Sequence, residues 1–258
     1  MTTTTVTVPP MGMTRRIAFY LTTLLGALGI LAFFSLVAPV YSYGVQAWIN
    51  PSTVGSHVVH SMLDSSLLAL PVIALLLQLH RPQETAAGVQ AAMLVMGVAL
   101  LITLFTLPMF APLMAIFFVV SALVGALHPA RREVFGLHGP VNLGAAALAA
   151  AALLVMLPFI SDHLRLQGMA LAGEEHAELG HWAISGAFAL VVPLLALLGS
   201  FSNAGWRIPA VSAAVLAVLF GTGSLLHPGA ASSLGVAGGV IAIVWAALYL
   251  AVNFLRRE

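Results

Sequence analysis

The chain has 258 residues, of which 61% are hydrophobic and only 7% charged, and its mean hydropathy is +1.07. Soluble domains contain about 45–50% apolar and about 25% charged residues, so this composition is that of an integral membrane protein. The absence of Cys excludes disulfides, thiolate metal sites and cysteine catalysis, and the absence of Lys excludes a P-loop lysine and a lysine Schiff base. Nine Arg against eight acidic residues leave no basic face for nucleic acid.

Apolar runs, divided where charge, Pro or Gly cluster, predict eight transmembrane helices, because a bilayer core of about 30 Å takes roughly 20 helical residues. The segments are 16–40, 57–79, 86–107, 109–127, 140–160, 178–199, 208–226 and 233–255. The third and fourth come from one run, which we divide between Leu107 and Pro112 because Pro108 and Pro112 cannot both fit a regular helical ladder. The expected fold is therefore an all-α, polytopic membrane helical bundle.

The arginines predict the orientation of this bundle, since short cytoplasmic loops collect positive charge. Eight spans with a cytoplasmic N-terminus leave Arg165 alone outside and place both chain ends in the cytoplasm. The predicted location is thus the inner (plasma) membrane, which the protein crosses several times. The arginines predicted to be cytoplasmic are Arg15, Arg16, Arg81, Arg131, Arg132, Arg207, Arg256 and Arg257.

An internal similarity suggests two tandem four-helix halves in one membrane domain. His57 follows Pro39 at the same spacing as His176 follows Pro158, and similar apolar sequence surrounds each proline. An even number of spans per half gives both halves the same direction, and sites in parallel-repeat proteins form between the halves. The predicted organisation is a short disordered cytoplasmic N-terminus at 1–15, a first half at 16–130 and a second half at 131–258.

Histidine is the one chemically distinctive residue type, with nine in a chain of few charges. His60 lies one turn inside the second span, and His181 begins the corresponding span of the second half. Polar side chains at such depth are costly unless they find partners, and they indicate a functional site by default. Asp64 lies at i+4 from His60, where its carboxylate would orient the imidazole.

These positions predict a centre in which His60 and His181 bind a haem or copper cofactor. His57 shares a helix face with His60 at i+3, whereas the i+5 spacing of His176 and His181 differs from the i+4 spacing of zinc proteases. The alternative is that these side chains are only satisfied polar groups at the membrane interface. The candidate metal ligands are His57, His60, Asp64, His176 and His181.

This layout resembles that of haem A synthase, which carries histidine near the outer end of the second helix of each four-helix half. The closest local match is Glu178-x-x-His181, where the first half has His57-x-x-His60, and Ser61 and Trp182 replace the arginine that follows each histidine in that family. The paired outer histidines are also similar to those of membrane proteins that assemble copper into cytochrome oxidase. Both resemblances imply haem or copper chemistry on the outer side.

The leading functional hypothesis is an inner-membrane protein with an outward-facing histidine site that binds haem or copper, in respiratory or redox metabolism or in cofactor assembly. The first alternative is a proton-coupled carrier of a small solute or ion, with Asp64 and His60 as the titrating pair. The second is an accessory subunit without chemistry of its own. The expected partners are the lipid bilayer and other membrane proteins or further copies of the chain, and the sequence leaves open whether the protein is an enzyme.

Overall fold

The computed structural model describes residues 12–169 and 174–255, and all regular secondary structure within them is helical. A π-helical turn, Phe33–Val37, continues the first helix, and short 3₁₀ turns connect several others. The helices are α1 Met13–Ala32, α2 Val40–Ile49, α3 Val58–Leu76, α4 Ala86–Thr106, α5 Ala111–Leu127, α6 Arg131–Val134, α7 Leu143–Met169, α8 Glu175–Glu178, α9 His181–Gly199, α10 Arg207–Leu226 and α11 Gly235–Leu255.

The helical membrane bundle predicted from the sequence is confirmed. Among the described residues, seven helices are long and apolar enough to cross a bilayer: α1, α3, α4, α7, α9, α10 and α11. The remaining predicted span, α5, is apolar but has only 17 residues. The count of eight, and with it the tandem repeat, stays a prediction.

The break between the third and fourth predicted spans lies where the prolines predict it. Helix α4 ends at Thr106, and the N–H of Leu107 donates to the carbonyl of Thr103. Helix α5 begins at Ala111 and has a proline in its first turn, where the missing N–H costs no helical hydrogen bond.

Three boundaries differ from the prediction. Helix α7 extends beyond the predicted end at residue 160 to Met169. The prediction stopped where the apolar run stops, but the polar residues that follow continue the helix. The predicted connection after the first span contains α2, whose Gly44 lies so close to Ser65 of α3 that no side chain would fit there. Helix α1 begins at Met13, and the remainder of the predicted disordered terminus, residues 1–11, lies outside the described residues, as do Arg256 and Arg257.

Helices α3 and α9 form the centre of the bundle. Helix α9 buries 72% of its most apolar stretch and α3 buries 61%, whereas α7 and α11 each bury only 17% and face outward. Both central helices contain a proline, Pro71 in α3 and Pro193 in α9. Polar side chains on α3 and α9 are therefore enclosed by protein rather than by lipid, and they must find their hydrogen-bond partners on neighbouring helices.

The spans alternate in direction, so the two ends of the bundle carry different chemistry. We call one end the arginine end, because it holds six of the seven described arginines, and the other the histidine end. Arg165 is the single described arginine at the histidine end, where it lies 3.6 Å from Asp162. The arginine end contains Arg15, Arg16, Arg81, Arg131, Arg132 and Arg207.

A buried histidine, His128, joins three helices at the arginine end. Its Nε2 lies 3.1 Å from Oε1 of Gln78, and its Nδ1 accepts the N–H of Ala130, so Nε2 is the protonated nitrogen of a neutral ring. The guanidinium of Arg15 donates to the carbonyl of His128 at 2.8 Å. Burial, with a smaller contribution from the Arg15 charge, lowers the pKa of His128 to about 4.

We predict that His128 makes the bundle sensitive to acid. Because the pKa of the buried ring lies below the usual value of about 6.5, the neutral ring contributes fully to the stability of the folded bundle above pH 6.5, and this contribution is lost as the pH falls toward 4. Between pH 7 and pH 5 the free energy of unfolding should fall by about 2 kcal/mol for this reason. Thermal unfolding in detergent should show a smaller drop in Tm over this interval for His128→Gln than for the wild type. The exposed His80→Gln variant is the control, and an equal drop in all three proteins would contradict the assignment.

Candidate functional site

Four histidines meet at the histidine end, and we call His57, His60, His176 and His181 the histidine cluster. His60 lies in the first turn of α3, His57 in the preceding 3₁₀ turn, His176 in α8 and His181 at the start of α9. Going around the cluster in the order 57, 176, 60, 181, neighbouring ring centres are 4.4, 5.1, 5.1 and 4.9 Å apart. The two diagonals are 6.4 and 6.3 Å. The sequence thus identified four side chains that the fold brings into one group.

Each of the two central histidines is oriented by the helix that carries the other. Nδ1 of His181 lies 2.9 Å from Oδ2 of Asp64, which is on α3 at i+4 from His60. Nδ1 of His60 lies 3.0 Å from Oγ of Ser185, which is on α9 at i+4 from His181. The expectation that Asp64 orients His60 is therefore wrong, because its carboxylate crosses to the facing helix and binds His181.

A chain of hydrogen bonds fixes which nitrogen of His60 carries the proton. Nδ1 of His163, on α7, lies 2.8 Å from the carbonyl oxygen of Phe159, which only accepts, so Nδ1 must donate. Nε2 of His163 then accepts from Oγ of Ser232 at 2.7 Å. The same hydroxyl oxygen lies 3.1 Å from Nδ1 of His60, which donates to it. Nε2 of His60 is left with a lone pair.

His176 is oriented by Glu174, which caps the short helix α8. Oε1 of Glu174 lies 2.9 Å from Nδ1 of His176, and Oε2 accepts the backbone N–H of Ala177 and the indole N–H of Trp182. Slight burial acts to raise the pKa of Glu174, but the hydrogen bonds from Ala177, Trp182 and His176 outweigh it and hold the pKa below its usual value. An ionised Glu174 accepts the N–H of Nδ1, so Nε2 of His176 also carries a lone pair.

His57, the fourth ring of the cluster, also has a carboxylate partner, but it uses Nε2 where the other three rings use Nδ1. Nε2 of His57 lies 3.4 Å from a carboxylate oxygen of Glu175, which leaves Nδ1 as the free nitrogen. Among the described residues, the buried side-chain nitrogens and oxygens without a hydrogen-bond partner are all in this region. They are Nδ1 of His57, Nε2 of His60, Nε2 of His176 and Oδ1 of Asp64.

The histidine end is held together by amide and aromatic contacts. The side chain of Gln167, on α7, donates to the carbonyl of Ala177 at 2.8 Å and accepts the N–H of Ala183 at 3.1 Å, which ties α7 to α8 and α9. The ring of Trp182 stacks on His176 at 5.0 Å between centres and meets His60 edge-on at 5.1 Å. These contacts fix the backbone on both sides of the cluster.

The four ring centres lie close together, but this does not mean that the nitrogens that could bind a metal ion point at one position. Within residues 12–169 and 174–255, no group of three or more His, Asp or Glu side chains is assembled as a metal site. The four rings surround a common centre, but their free nitrogens do not yet converge on it. Any ion at this position would require the rings to turn about their side-chain torsions.

Sequence reasoning missed the second set of polar residues that orient the cluster. His163 lies beyond the predicted end of the fifth span at residue 160, but on the extended α7, and Ser232 follows α10. Neither residue has a sequence spacing that connects it to His60. Ser185 lies at i+4 from His181, as Asp64 does from His60, but this spacing does not indicate which imidazole the hydroxyl group binds.

An apolar cavity of about 650 Å³ lies beside the cluster. It is enclosed by the outer ends of α1, α4 and α5 together with α2, α3 and α9. His57, Asp64 and His181 form one of its walls, and most of the other lining residues are apolar, among them Phe33 and Phe110. The cluster is thus accessible from a space built of hydrocarbon and aromatic side chains.

No family model, curated protein or solved structure matches the chain. The site must therefore be interpreted from its own geometry.

We predict that the cluster can be verified by cross-linking, because the chain has no natural Cys to interfere. A short bifunctional thiol reagent should link His57→Cys to His176→Cys, whose parent rings are 4.4 Å apart, and mass spectrometry of the digested protein should identify the linked peptides. The matched control is His57→Cys with His138→Cys, which lies at the arginine end. Cross-linking of the control pair with equal yield would contradict the arrangement.

Proposed function

We propose that this membrane protein binds one copper ion, Cu(II), within the histidine cluster and that its function is copper handling or copper-based redox chemistry. The observation that carries the proposal is that four imidazoles meet in one cluster and that each has one nitrogen bound to a carboxylate or hydroxyl group. The other nitrogen of each neutral ring therefore carries a lone pair. Neutral imidazoles oriented by an outer hydrogen bond are the usual form of metal-binding histidine.

The spacing of the rings supports a single ion at the centre. A metal–nitrogen bond of about 2.0–2.1 Å places each ring centre about 3.2 Å from the ion. Opposite ligands of a planar site then have ring centres about 6.3 Å apart and neighbours about 4.5 Å, whereas all pairs of a tetrahedral site are about 5.2 Å apart. The observed diagonals of 6.3 and 6.4 Å, with neighbours at 4.4–5.1 Å, are closer to the flattened arrangement.

The flattened arrangement favours copper among the metals that imidazole binds. Tetragonal sites with nitrogen ligands are typical of Cu(II), while Zn²⁺ prefers a tetrahedron. The four rings also argue against haem inside the cluster, since a porphyrin held between one diagonal pair would occupy the positions of the other pair. We therefore narrow the predicted cofactor, haem or copper, to a copper ion.

The charge distribution supports an outward-facing site. Six of the seven described arginines lie at the arginine end, which the positive-inside rule assigns to the cytoplasm. The cluster, at the opposite end, then faces the outer side of the membrane. This is the side from which a metal would be received or delivered without crossing the bilayer.

We predict that the purified protein binds one Cu(II) per chain and shows no Soret band. Titration of metal-free protein, prepared with an affinity tag that contains no histidine, should give nitrogen hyperfine structure in the electron paramagnetic resonance spectrum. Because His60 and His181 come from facing central helices, the His60→Ala, His181→Ala double variant should lose stoichiometric binding.

The matched control for this titration is His227→Ala, since His227 lies at the same end of the bundle but outside the cluster. It should bind Cu(II) as the wild type does. Stoichiometric binding that persists in the double variant, or a site whose spectrum lacks nitrogen coupling, would overturn the proposal. A tighter complex with Zn²⁺ than with Cu(II) would overturn the choice of metal, because Cu(II) normally binds a nitrogen site more tightly.

We predict that the hydroxyl and carboxylate partners tune the affinity without being ligands. Asp64→Asn should weaken Cu(II) binding by about 10–100-fold, the usual cost of losing an outer-shell partner of a ligating histidine. Ser185→Ala should act less strongly, because Ser232 also binds Nδ1 of His60. Competition with a chelator of known affinity measures both effects. Unchanged affinity in Asp64→Asn would show that Asp64 does not orient a ligand.

A further inference from the structure

The cavity beside the cluster has walls suited to a lipophilic molecule. Its lining includes side chains from several helices and is mainly hydrocarbon, with aromatic rings from Phe33, Phe34, Tyr43 and Phe110. Its volume of about 650 Å³ is within the usual range for small-molecule sites, about 300–1,000 Å³. A flat aromatic group would find edge and face contacts on these rings.

Two exposed apolar residues also line the cavity. Val37 and Leu179 both line it and are 70% and 53% exposed, so the space is reached along the outer part of the helices. An occupant that arrives by this route is dissolved in the lipid. Such a molecule is predominantly apolar and carries no net charge.

Asp64 indicates the chemistry of the polar group at the other end of the occupant. The side chain is buried, with 3% of the residue exposed, and it lines the cavity. Oδ2 accepts from His181, but Oδ1 has no partner. A buried carboxylate oxygen without a hydrogen bond is costly, so the fitting ligand brings a donor.

The donor is a hydroxyl group rather than an ammonium group. Two further carboxylates line the cavity, but Glu175 already lies 3.4 Å from Nε2 of His57, and Glu178 also has a partner. A cationic amine would be repelled by the copper ion of the proposed function, and the other, predominantly apolar walls would not compensate for its loss of hydration. On this point the inference rests on the proposed function, although binding itself does not need the ion. We infer that the cavity binds a lipophilic phenol or quinol whose hydroxyl group donates to Oδ1 of Asp64, beside the histidine cluster.

The test compares 4-nonylphenol with its methyl ether, 4-nonylanisole, which has the same body but cannot donate a hydrogen bond. Both are equilibrated with metal-free protein in lipid nanodiscs, and empty nanodiscs of the same lipid give the partitioning background. The phenol should bind saturably, one per chain, and at least tenfold more tightly than the ether. In Asp64→Leu the two affinities should become equal.

Two further variants distinguish binding of the phenol in the cavity from binding at the lipid-facing surface. Ala99→Phe fills the cavity from α4 and should abolish saturable binding of the phenol, whereas Leu101→Phe, at a lipid-facing position of the same helix, should leave it unchanged. A Cu(II) titration of each variant shows that the protein is folded.

Equal binding of phenol and ether by the wild type, or no binding above background, would overturn this inference. Neither result would affect the copper site, which the titration measures separately.

Discussion

The structure of the histidine end depends on one constraint: polar groups on two buried helices must find their hydrogen-bond partners within the protein. Helices α3 and α9 lie at the centre of an apolar bundle, where water and lipid cannot supply hydrogen bonds. Each helix presents a histidine and, one turn later, an acceptor, and the acceptor of each helix binds the histidine of the other. This exchange sets the rotation of both helices about their axes, since turning either one would break both pairs. The rings of His60 and His181 are consequently held side by side, with their centres 5.1 Å apart.

The reciprocal pairing joins two chemically different acceptors. Asp64 and Ser185 each lie at i+4 from the histidine of their own helix, yet one is a carboxylate and the other a hydroxyl group. Besides Ser185, Nδ1 of His60 also donates to the hydroxyl group of Ser232, which in turn donates to Nε2 of His163. Asp64 accepts only, and its second oxygen has no partner. The asymmetry therefore gives Nδ1 of His60 two hydroxyl partners, whereas one oxygen of Asp64 is left unsatisfied.

The sequence predicted the elements that follow from composition and failed where the answer depended on tertiary contacts. Apolar run length located the long helices, and the pair Pro108 and Pro112 located the break before α5, because both signals act within a single turn or span. The depth of His60 and His181 identified the central pair, since polar residues inside an apolar run stand out.

The partner of Asp64 could not be obtained in this way. An i+4 spacing brings two side chains to one helix face, but it does not reveal that a facing helix offers the carboxylate a hydrogen-bond donor, here Nδ1 of His181. His163 was missed because its helix continues through polar residues that resemble a loop.

The same burial that holds the cluster together also leaves several of its polar atoms without hydrogen-bond partners. Three imidazole nitrogens and one carboxylate oxygen are buried without partners, and each such group costs about 1–3 kcal/mol. Partners within the protein would remove this cost, but Ser185, Ser232, Asp64, Glu174 and Glu175 already bind the opposite nitrogens. Protonating the rings would place several positive charges within about 5 Å of one another in a medium of low dielectric constant, which is worse. The single cation proposed for this position would bind these lone pairs once the rings had turned toward it. Its binding would stabilise the folded bundle by mass action, so the energetic strain of this end would be the driving force for occupying it.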